Sequence, residues 1–388
     1  MRVALLAPLP PLQNGIADYA QAWMQALAAT GIEVVVPPRT PAGAWDTADA
    51  GFWGGIDLVH AELGGGRGPE FIALEQLRTA WPKLLMTATV HDPERLIWRS
   101  PVPDGGLAAR AAHWPRPLPQ LLTLLQDRRT LARERALARR LDALVVLTRI
   151  GGRCLAERMQ LAAGKVHFIA HGNRVLPSVP LPQTPPLRLL YFGFIYPGKG
   201  IEDLIDALAQ VRQRRPQAAL RLTMSGGTAP ELAFGSRGDY LSQLRERVQR
   251  LGIGEWVDWR LDLPAEQIVD CVQAHHVMLL PYRDSKKLAL LGRMRATSGA
   301  LSWANACGRG VIASDARAFA EEVSHGNGVV FEQGDSAALA RRIIALVDQP
   351  VQATAWAEGA ASLGKRRQWP VVAEQFAALF TSLVEGGR

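Results

Sequence analysis

Several residues able to do chemistry stand just beyond apolar runs. In open α/β sheets ligands bind beyond the carboxyl ends of the strands. The run Ile56–Val59 ends at His60, and Leu84–Val90 ends in His91–Asp92. A histidine there can donate, accept or transfer a proton near neutral pH, or it can simply cap a loop. Lys199 lies between two glycines in GFIYPGKG, after the run Leu187–Phe192. A lysine so placed can reach a phosphate as a mobile point charge; a solvated loop lysine is the alternative. The stretch SGALSWANACGRGVIASD, Ser298 to Asp315, reads as a loop, a helix, a turn and a buried strand. Ser298 is expected at the N-cap, its hydroxyl accepting a first-turn amide. Gly299 leaves the backbone open to an approaching group. A helix start of small residues suits an anion, although an ordinary helix–strand unit has the same pattern.

The elements that must position these residues alternate between strand and helix. Strands are expected at 2–7, 32–36, 56–59, 84–90, 143–147 and 166–169, then at 187–192, 220–224, 256–259, 277–280 and 311–313. Helices fit 16–30, 118–141, 151–158, 201–211, 265–274, 336–348 and 371–385, with the connection between the last two carrying Lys365, Arg366, Arg367 and Trp369. This is α/β grammar with two doubly wound halves. The run NRVLPSVPLPQTPPLR, 173–188, holds five prolines and marks the boundary. An N-terminal domain 1–175, a linker 176–188 and a C-terminal domain 189–368 follow. Three glycine-bearing loops come after strands: Asn14–Gly15, Gly193 to Gly200, and Ser298–Gly299. Ser225–Gly226–Gly227 and Pro281–Tyr282 end two further strands. If the loops converge on one ligand, a diphosphate leaving group fits them.

At 388 residues, two domains of ordinary size are expected. Cys154, Cys271 and Cys307 are odd in number and far apart, which argues against a disulfide framework or a CxxC metal site and fits a reducing cytoplasm. No ligand spacing such as HExxH occurs, and the pair His275–His276 is not read as a metal site. No G-x-G-x-x-G signature supports a dinucleotide cofactor. No run of 18 or more apolar residues indicates a spanning helix, and the N-terminus reads as a strand and loop rather than a signal peptide. The net charge of +8 favours anionic partners. Basic and aromatic residues are not interleaved as in single-strand binders, so nucleic acid ranks lowest. Helix 118–141 shows Arg128, Arg129, Arg133, Arg135, Arg139 and Arg140 on one side. That face is either solvated or drawn to an anionic membrane surface.

With these motifs in place, the chain resembles the retaining nucleotide-sugar glycosyltransferases of family 4. The carriers are APLPPLQNGIADYA, TVHD, IAHG, FGFIYPGKGIEDLIDAL, LLPY, SGALSWANACGRGVIASD and GNGVVFEQGDSAALA. The resemblance implies a GT-B fold, two Rossmann-like domains facing a central cleft, with helix 371–388 crossing back onto the first. It implies donor binding by Gly15, Gly193, Lys199, Gly226, Tyr282, Ser298, Gly299, Ala300 and Leu301, Lys199 neutralising the diphosphate; Arg295, which departs from the family pattern, is a further donor-binding candidate through its positive charge. His91 would lie near the transferred sugar and Asp18 near the acceptor. The donor would be UDP- or GDP-linked, with no other cofactor and no obligatory metal. The acceptor would be a glycan or lipid-linked saccharide of cell-surface polysaccharide assembly, handled in the cytoplasm or on the inner face of its membrane. The chain departs from the pattern at one point. Two glutamates eight positions apart, common in the family for sugar and ribose contacts, are replaced by Arg295 and Trp303. Trp303 is then either core packing or an apolar wall of the nucleotide pocket. The departure keeps open a non-catalytic partner subunit, and the fold keeps open another activity such as a nucleotide-sugar epimerase.

Overall fold

The computed structural model describes residues 1–12, 15–64, 68–93, 114, 127–227, 239–284 and 295–386, the side chains of 127–131 excepted. Asn14, the expected helix start at 118–126 and residues 285–294 of the basic loop lie outside these residues. The chain forms two compact units. The first is Met1–Ala170 with Trp369–Arg388, and the second is His171–Gln368.

The first unit begins β1 (Arg2–Leu6), α1 (Gly15–Ala28), β2 (Glu33–Val35), α2 (Ala50–Trp53), β3 (Leu58–Leu63) and α3 (Pro69–Ala80). It continues β4 (Leu85–Val90), α4 (Asp127–Arg140), β5 (Ala143–Val146), α5 (Arg149–Met159) and β6 (Val166–Phe168). The sheet runs β2-β1-β3-β4-β5-β6, every pairing parallel. Its order reverses between β1 and β3, the point where doubly wound sheets hold ligands. Short apolar strands form this sheet because both faces are covered. One face packs Trp53, Phe71, Leu74 and Leu77. The other packs Tyr19, Trp23, Phe376 and Phe380. The last two belong to α13 (Trp369–Gly386), named here ahead of the helices between. Phe376 meets Trp23 of α1 edge-on at 5.6 Å.

The second unit opens with β7 (Leu187–Phe192), α6 (Ile201–Arg214), β8 (Leu220–Gly226), α7 (Tyr240–Arg250), β9 (Val257–Leu261) and α8 (Ile268–Gln273). Then come β10 (Val277–Leu280), α9 (Gly299–Ala306), β11 (Gly310–Ser314), α10 (Phe319–Glu322), β12 (Gly328–Phe331), α11 (Ser336–Asp348) and α12 (Val351–Arg366). Its parallel order is β12-β11-β10-β7-β8-β9. The reversal lies between β7 and β10, so the loops after these two strands flank the ligand-binding point.

Three expectations are corrected. The strand expected at 56–59 is β3, Leu58–Leu63, so His60 lies inside a fully buried strand rather than after one. His60 reads as a strand end because it is polar, but it alternates with Glu62 along one face of the buried strand. The connection after 348 is mostly helix α12, VQATAWAEGAASLGKR. Alanine favours helix, and Gly359 and Gly364 let it lie flat on its neighbours. A Cβ at Gly364 would stand 2.2 Å from the Asn305 carbonyl oxygen.

The proline-rich run is not a free linker. Arg309, 2% exposed, donates to the carbonyls of Val179 and Pro180 at 3.0 and 3.1 Å. His276 Nδ1 accepts from the Arg188 amide at 3.0 Å, which leaves Nε2–H for the Pro182 carbonyl at 3.0 Å. These bonds hold residues 179–188 on the second unit. The basic side of α4 is partly engaged with the protein, with Arg139 and Arg140 exposed. Arg133 Nε donates to Glu75 at 2.7 Å, Arg135 Nε to the Arg158 carbonyl at 2.8 Å, and Arg139 to Gln160 at 2.8 Å.

Candidate active site

In the second unit the site is built around Tyr282, which follows β10. Its ring is buried, and Lys199 Nζ lies 3.9 Å from the ring centroid. The Lys199 side chain leaves a turn made by Gly198 and Gly200, both in the left-handed region at φ 98° and 67°. Gly200 is obligatory there: a Cβ would come within 1.8 Å of the Pro281 carbonyl oxygen. The Arg283 amide donates to the Gly198 carbonyl at 3.1 Å, so this turn is tied to the end of β10. Gly193 and Gly226 close the same floor. A Cβ on Gly193 would meet Tyr282 Oη at 3.3 Å, and one on Gly226 would overlap the Gly193 carbonyl oxygen at 1.8 Å. Burial raises the Tyr282 phenol above its ordinary range, so it is a neutral hydroxyl beside the ammonium.

Ser298 completes the cluster, with Oγ donating to Tyr282 Oη at 3.3 Å. It occupies the N-cap of α9 but makes no capping bond, contrary to expectation, because its hydroxyl is directed at the phenol. The amides of Gly299, Ala300 and Leu301 therefore begin the helix with neither an intrahelical carbonyl nor a capping side chain. A Cβ on Gly299 would meet nothing within 4 Å among the described residues, so the space beside the first of these amides is open there. An ammonium and a row of amides at a helix start can together hold an anion. Arg295 is half-buried, three residues before Ser298.

The loop before Ser298 is anchored from behind. Thr297 Oγ1 donates to Glu322, which pairs with Arg367 Nη1 at 2.8 Å. Burial outweighs Arg367 and Thr297 and pushes the Glu322 carboxyl above its ordinary range. Ser302 Oγ lies 2.6 Å from Asn173 Oδ1 and 3.0 Å from the Gly172 carbonyl. Trp303 is half-buried, with the Arg174 guanidinium 4.9 Å from its ring and Phe192 6.5 Å away edge-on. Sequence reasoning passed over Glu322 and Asn173 because nothing local marks a carboxylate or amide that works across 25 or 129 residues.

The first unit carries a different arrangement, with side chains rather than backbone. His91 follows β4, and its Nε2 lies 2.7 Å from Glu62 Oε2. His60 Nε2 is 3.4 Å from the other carboxylate oxygen. His60 is fully buried and bonded to Thr87 at 2.8 Å and Thr89 at 2.9 Å. Parallel register explains the grouping: His60 pairs with Thr87 and Glu62 with Thr89, on one face of the sheet. Burial acts to raise the Glu62 carboxyl, but the two imidazoles outweigh it and hold it at about 2. Tyr19 of α1 meets the His91 ring edge-on at 4.7 Å. Glu62 went unnoticed in the sequence; its signal is the spacing His60-x-Glu62 within a strand, two polar residues on one face. Gly15 and Asp18, both exposed, start α1 of this unit. Among the described residues no three His, Cys, Asp or Glu side chains group as metal ligands.

Comparison with known proteins agrees with this architecture. Residues 177–363 match the family model described as Glycosyl transferases group 1. D-inositol 3-phosphate glycosyltransferase 1 of Catenulispora acidiphila is 30% identical over 204 residues, 52% of this chain and 45% of that protein. D-inositol 3-phosphate glycosyltransferase of Corynebacterium jeikeium is 27% identical over 207 residues, 52% of this chain and 46% of that one. The chain thus spans about half the length of the curated relatives it matches. Among solved structures, sucrose-phosphate synthase from Thermosynechococcus elongatus superposes over 100% of both chains with TM-score 0.73 at 18% identity. Anabaena Alr3699/HepE in complex with UDP does so over 98% of this chain and 100% of its own, with TM-score 0.68 at 17% identity. Residues 177–363 are thus similar to the glycosyl transferases group 1, and the two parallel-sheet units are the Rossmann-like domains of the GT-B fold.

Proposed function

We propose that the chain is a retaining glycosyltransferase that moves a sugar from a UDP- or GDP-linked donor to a hydroxyl acceptor. The observation that carries this reading is the cluster of Lys199, Tyr282 and Ser298 at the uncapped start of α9. In this reading the donor diphosphate takes its hydrogen bonds from the amides of Gly299, Ala300 and Leu301 and its counter-charge from Lys199, with Arg295 adding positive charge nearby. Gly193 and Gly226 keep the floor free of side chains, and Gly15 gives the diphosphate close access. As the glycosidic bond to the diphosphate lengthens, negative charge grows on the leaving oxygens and the sugar becomes oxocarbenium-like. Fixed donors aimed at that charge contribute about 3 kcal/mol for one well-placed group. The acceptor hydroxyl attacks from the same face, and its proton passes to the departing phosphate. No side-chain nucleophile or metal is required for these steps.

The first unit serves the transferred sugar through His91 and the acceptor through Asp18. The acceptor class we favour is a glycan or lipid-linked saccharide in cell-surface polysaccharide assembly, handled in the cytoplasm. Among the described residues no helix is long and apolar enough to cross a membrane. Contact of helix 118–141 with an anionic membrane surface belongs to the same proposal, although Arg133, Arg135 and Arg139 already bond to neighbouring elements. A second reading, a partner subunit without turnover, is favoured by Trp303, with the Arg174 guanidinium 4.9 Å from its ring, standing where a ribose-binding carboxylate is common. The test is a transfer and donor-hydrolysis screen over UDP- and GDP-sugars. Lys199→Ala should lower turnover roughly 100- to 1000-fold on the best donor. Unchanged turnover would remove Lys199 from the mechanism, and no turnover on any donor by the unaltered chain would favour the partner-subunit reading.

A further inference from the structure

The His60–Glu62–His91 group does more than fill the interior. Glu62 is fully buried, and a buried carboxylate persists only where its oxygens are met by donors or positive charge. Among the described residues Oε2 is met by His91 Nε2 at 2.7 Å, while Oε1 has no hydrogen-bond partner and lies 3.4 Å from His60 Nε2. An ionised carboxylate has no hydrogen to give, so His91 Nε2 must carry the proton. The conclusion holds whether the ring is neutral or charged. Its companion, Nδ1, is then the nitrogen left to act as acceptor when the ring is neutral. The ring is held in orientation by the edge of Tyr19 at 4.7 Å. Glu62 is fixed in turn by the strand it lies on and by His60, whose ring is stacked on Trp23 at 4.9 Å and bonded to Thr87 and Thr89.

We infer that Glu62 is a positioning residue that fixes His91 as the Nε2–H tautomer and so presents Nδ1 as an acceptor for a hydroxyl of the bound sugar. The inference rests on the proposed transferase reading only for the identity of that hydroxyl. Glu62 itself touches no substrate; it acts through His91. His60 holds the carboxylate from the far side and has no part in the chemistry.

Two measurements test it. Nitrogen-15 spectra of the unaltered full chain with labelled histidine, in mildly alkaline buffer without substrate, should show His91 protonated at Nε2 and bare at Nδ1. A His91 signal protonated at Nδ1, or an even mixture of tautomers, would overturn the inference whatever the activity of the protein. The second measurement is a mutant cycle on the best donor. Glu62→Gln should lose roughly 10- to 100-fold in kcat with the donor KM unchanged, because an amide can offer either a donor or an acceptor to His91. Glu62→Asp should recover part of that loss. On a His91→Ala background, Glu62→Gln should cost nothing further. An equal loss on both backgrounds would mean that Glu62 only supports the fold. If the unaltered chain turns over no donor, the transferase reading fails and the spectra alone decide the tautomer.

Discussion

In the first unit a fully buried carboxylate, Glu62, is held ionised by two imidazoles, its carboxyl brought down to about 2. In the second unit Glu322 is as deeply buried, and burial pushes its carboxyl up although Arg367 and Thr297 both reach it. The difference lies in where each unit places its working groups. In the proposed reading the first commits side chains, with its carboxylate set against His60 and His91. The second, in the same reading, commits backbone amides and one ammonium, and Glu322, bonded to Thr297 and Arg367, anchors the loop that leads to them. Side-chain machinery is sensitive to titration; a backbone cradle is sensitive to anything that adds a Cβ.

The largest expected effect follows from that second sensitivity. Gly200→Ala and Gly226→Ala each place a methyl group 1.8 Å from a backbone oxygen, at φ 67° and 155°. Neither obstacle is a side chain that can turn away. The left-handed strain and the overlap together should cost the second unit about 3–5 kcal/mol, read as a large fall in its melting temperature. Gly15→Ala in the first unit meets nothing within 4 Å and should melt as the unaltered chain does. Equal destabilisation by all three would end the distinction between the units.

Acid should separate the units next. His275 in the second unit is buried, bonded to the Cys271 carbonyl at 2.6 Å and Thr223 at 2.7 Å, and burial lowers it from 6.5 to about 4. A histidine lowered in the fold stabilises above its unfolded value and loses that contribution as pH falls from 6.5 towards about 4, about 3 kcal/mol in all. His276 is lowered in the same direction, also by burial. Glu322, being raised, works with the opposite sign and offsets part of the loss below its folded value. Glu62 is lowered, so its contribution, also about 3 kcal/mol, is intact above 4.5 and lost as pH falls towards about 2. The second unit should therefore weaken at a higher pH than the first. Hydrogen exchange of peptides from each unit, corrected for the intrinsic rate, measures this between pH 7 and pH 3. Simultaneous loss in both units would contradict it.

These contrasts bear on what a reading of residues could reach. Parallel sheets announce themselves as short apolar runs after turns, and Leu187–Phe192, Val277–Leu280 and the helix 336–348 are found where the pattern places them. The glycine loops are legible too, because a positive φ or a close backbone approach leaves few alternatives to glycine. What local pattern cannot carry is a polar group whose partner is distant in the chain. His60 looked like a strand end because its bonds go to Thr87 and Thr89 on the neighbouring strand. The proline run looked like a linker because Arg309, which holds it, lies about 130 residues further on. Helix α12 was missed for another reason: an alanine-rich segment with small buried residues has little amphipathic contrast.

The smallest effect on stability should come with an informative effect on binding. Gly299 opens α9 in ordinary helical conformation, and a Cβ there would touch no atom within 4 Å. Alanine is a better helix former than glycine, so Gly299→Ala should leave the melting temperature unchanged or slightly raised, a difference of about 0.5 kcal/mol or less. If the open space is where the donor diphosphate approaches, the same methyl group stands between the ligand and the amides of Gly299, Ala300 and Leu301. Affinity for UDP or GDP, measured by calorimetry, should then fall roughly tenfold, a difference of about 1.4 kcal/mol. Gly200→Ala would lower binding only by unfolding the unit that carries it, whereas Gly299→Ala would lower it in a protein as stable as the original. Undiminished affinity in Gly299→Ala would show that the glycine at this helix start leaves room for nothing, and the cradle would have to be sought elsewhere on the loops after β7 and β10.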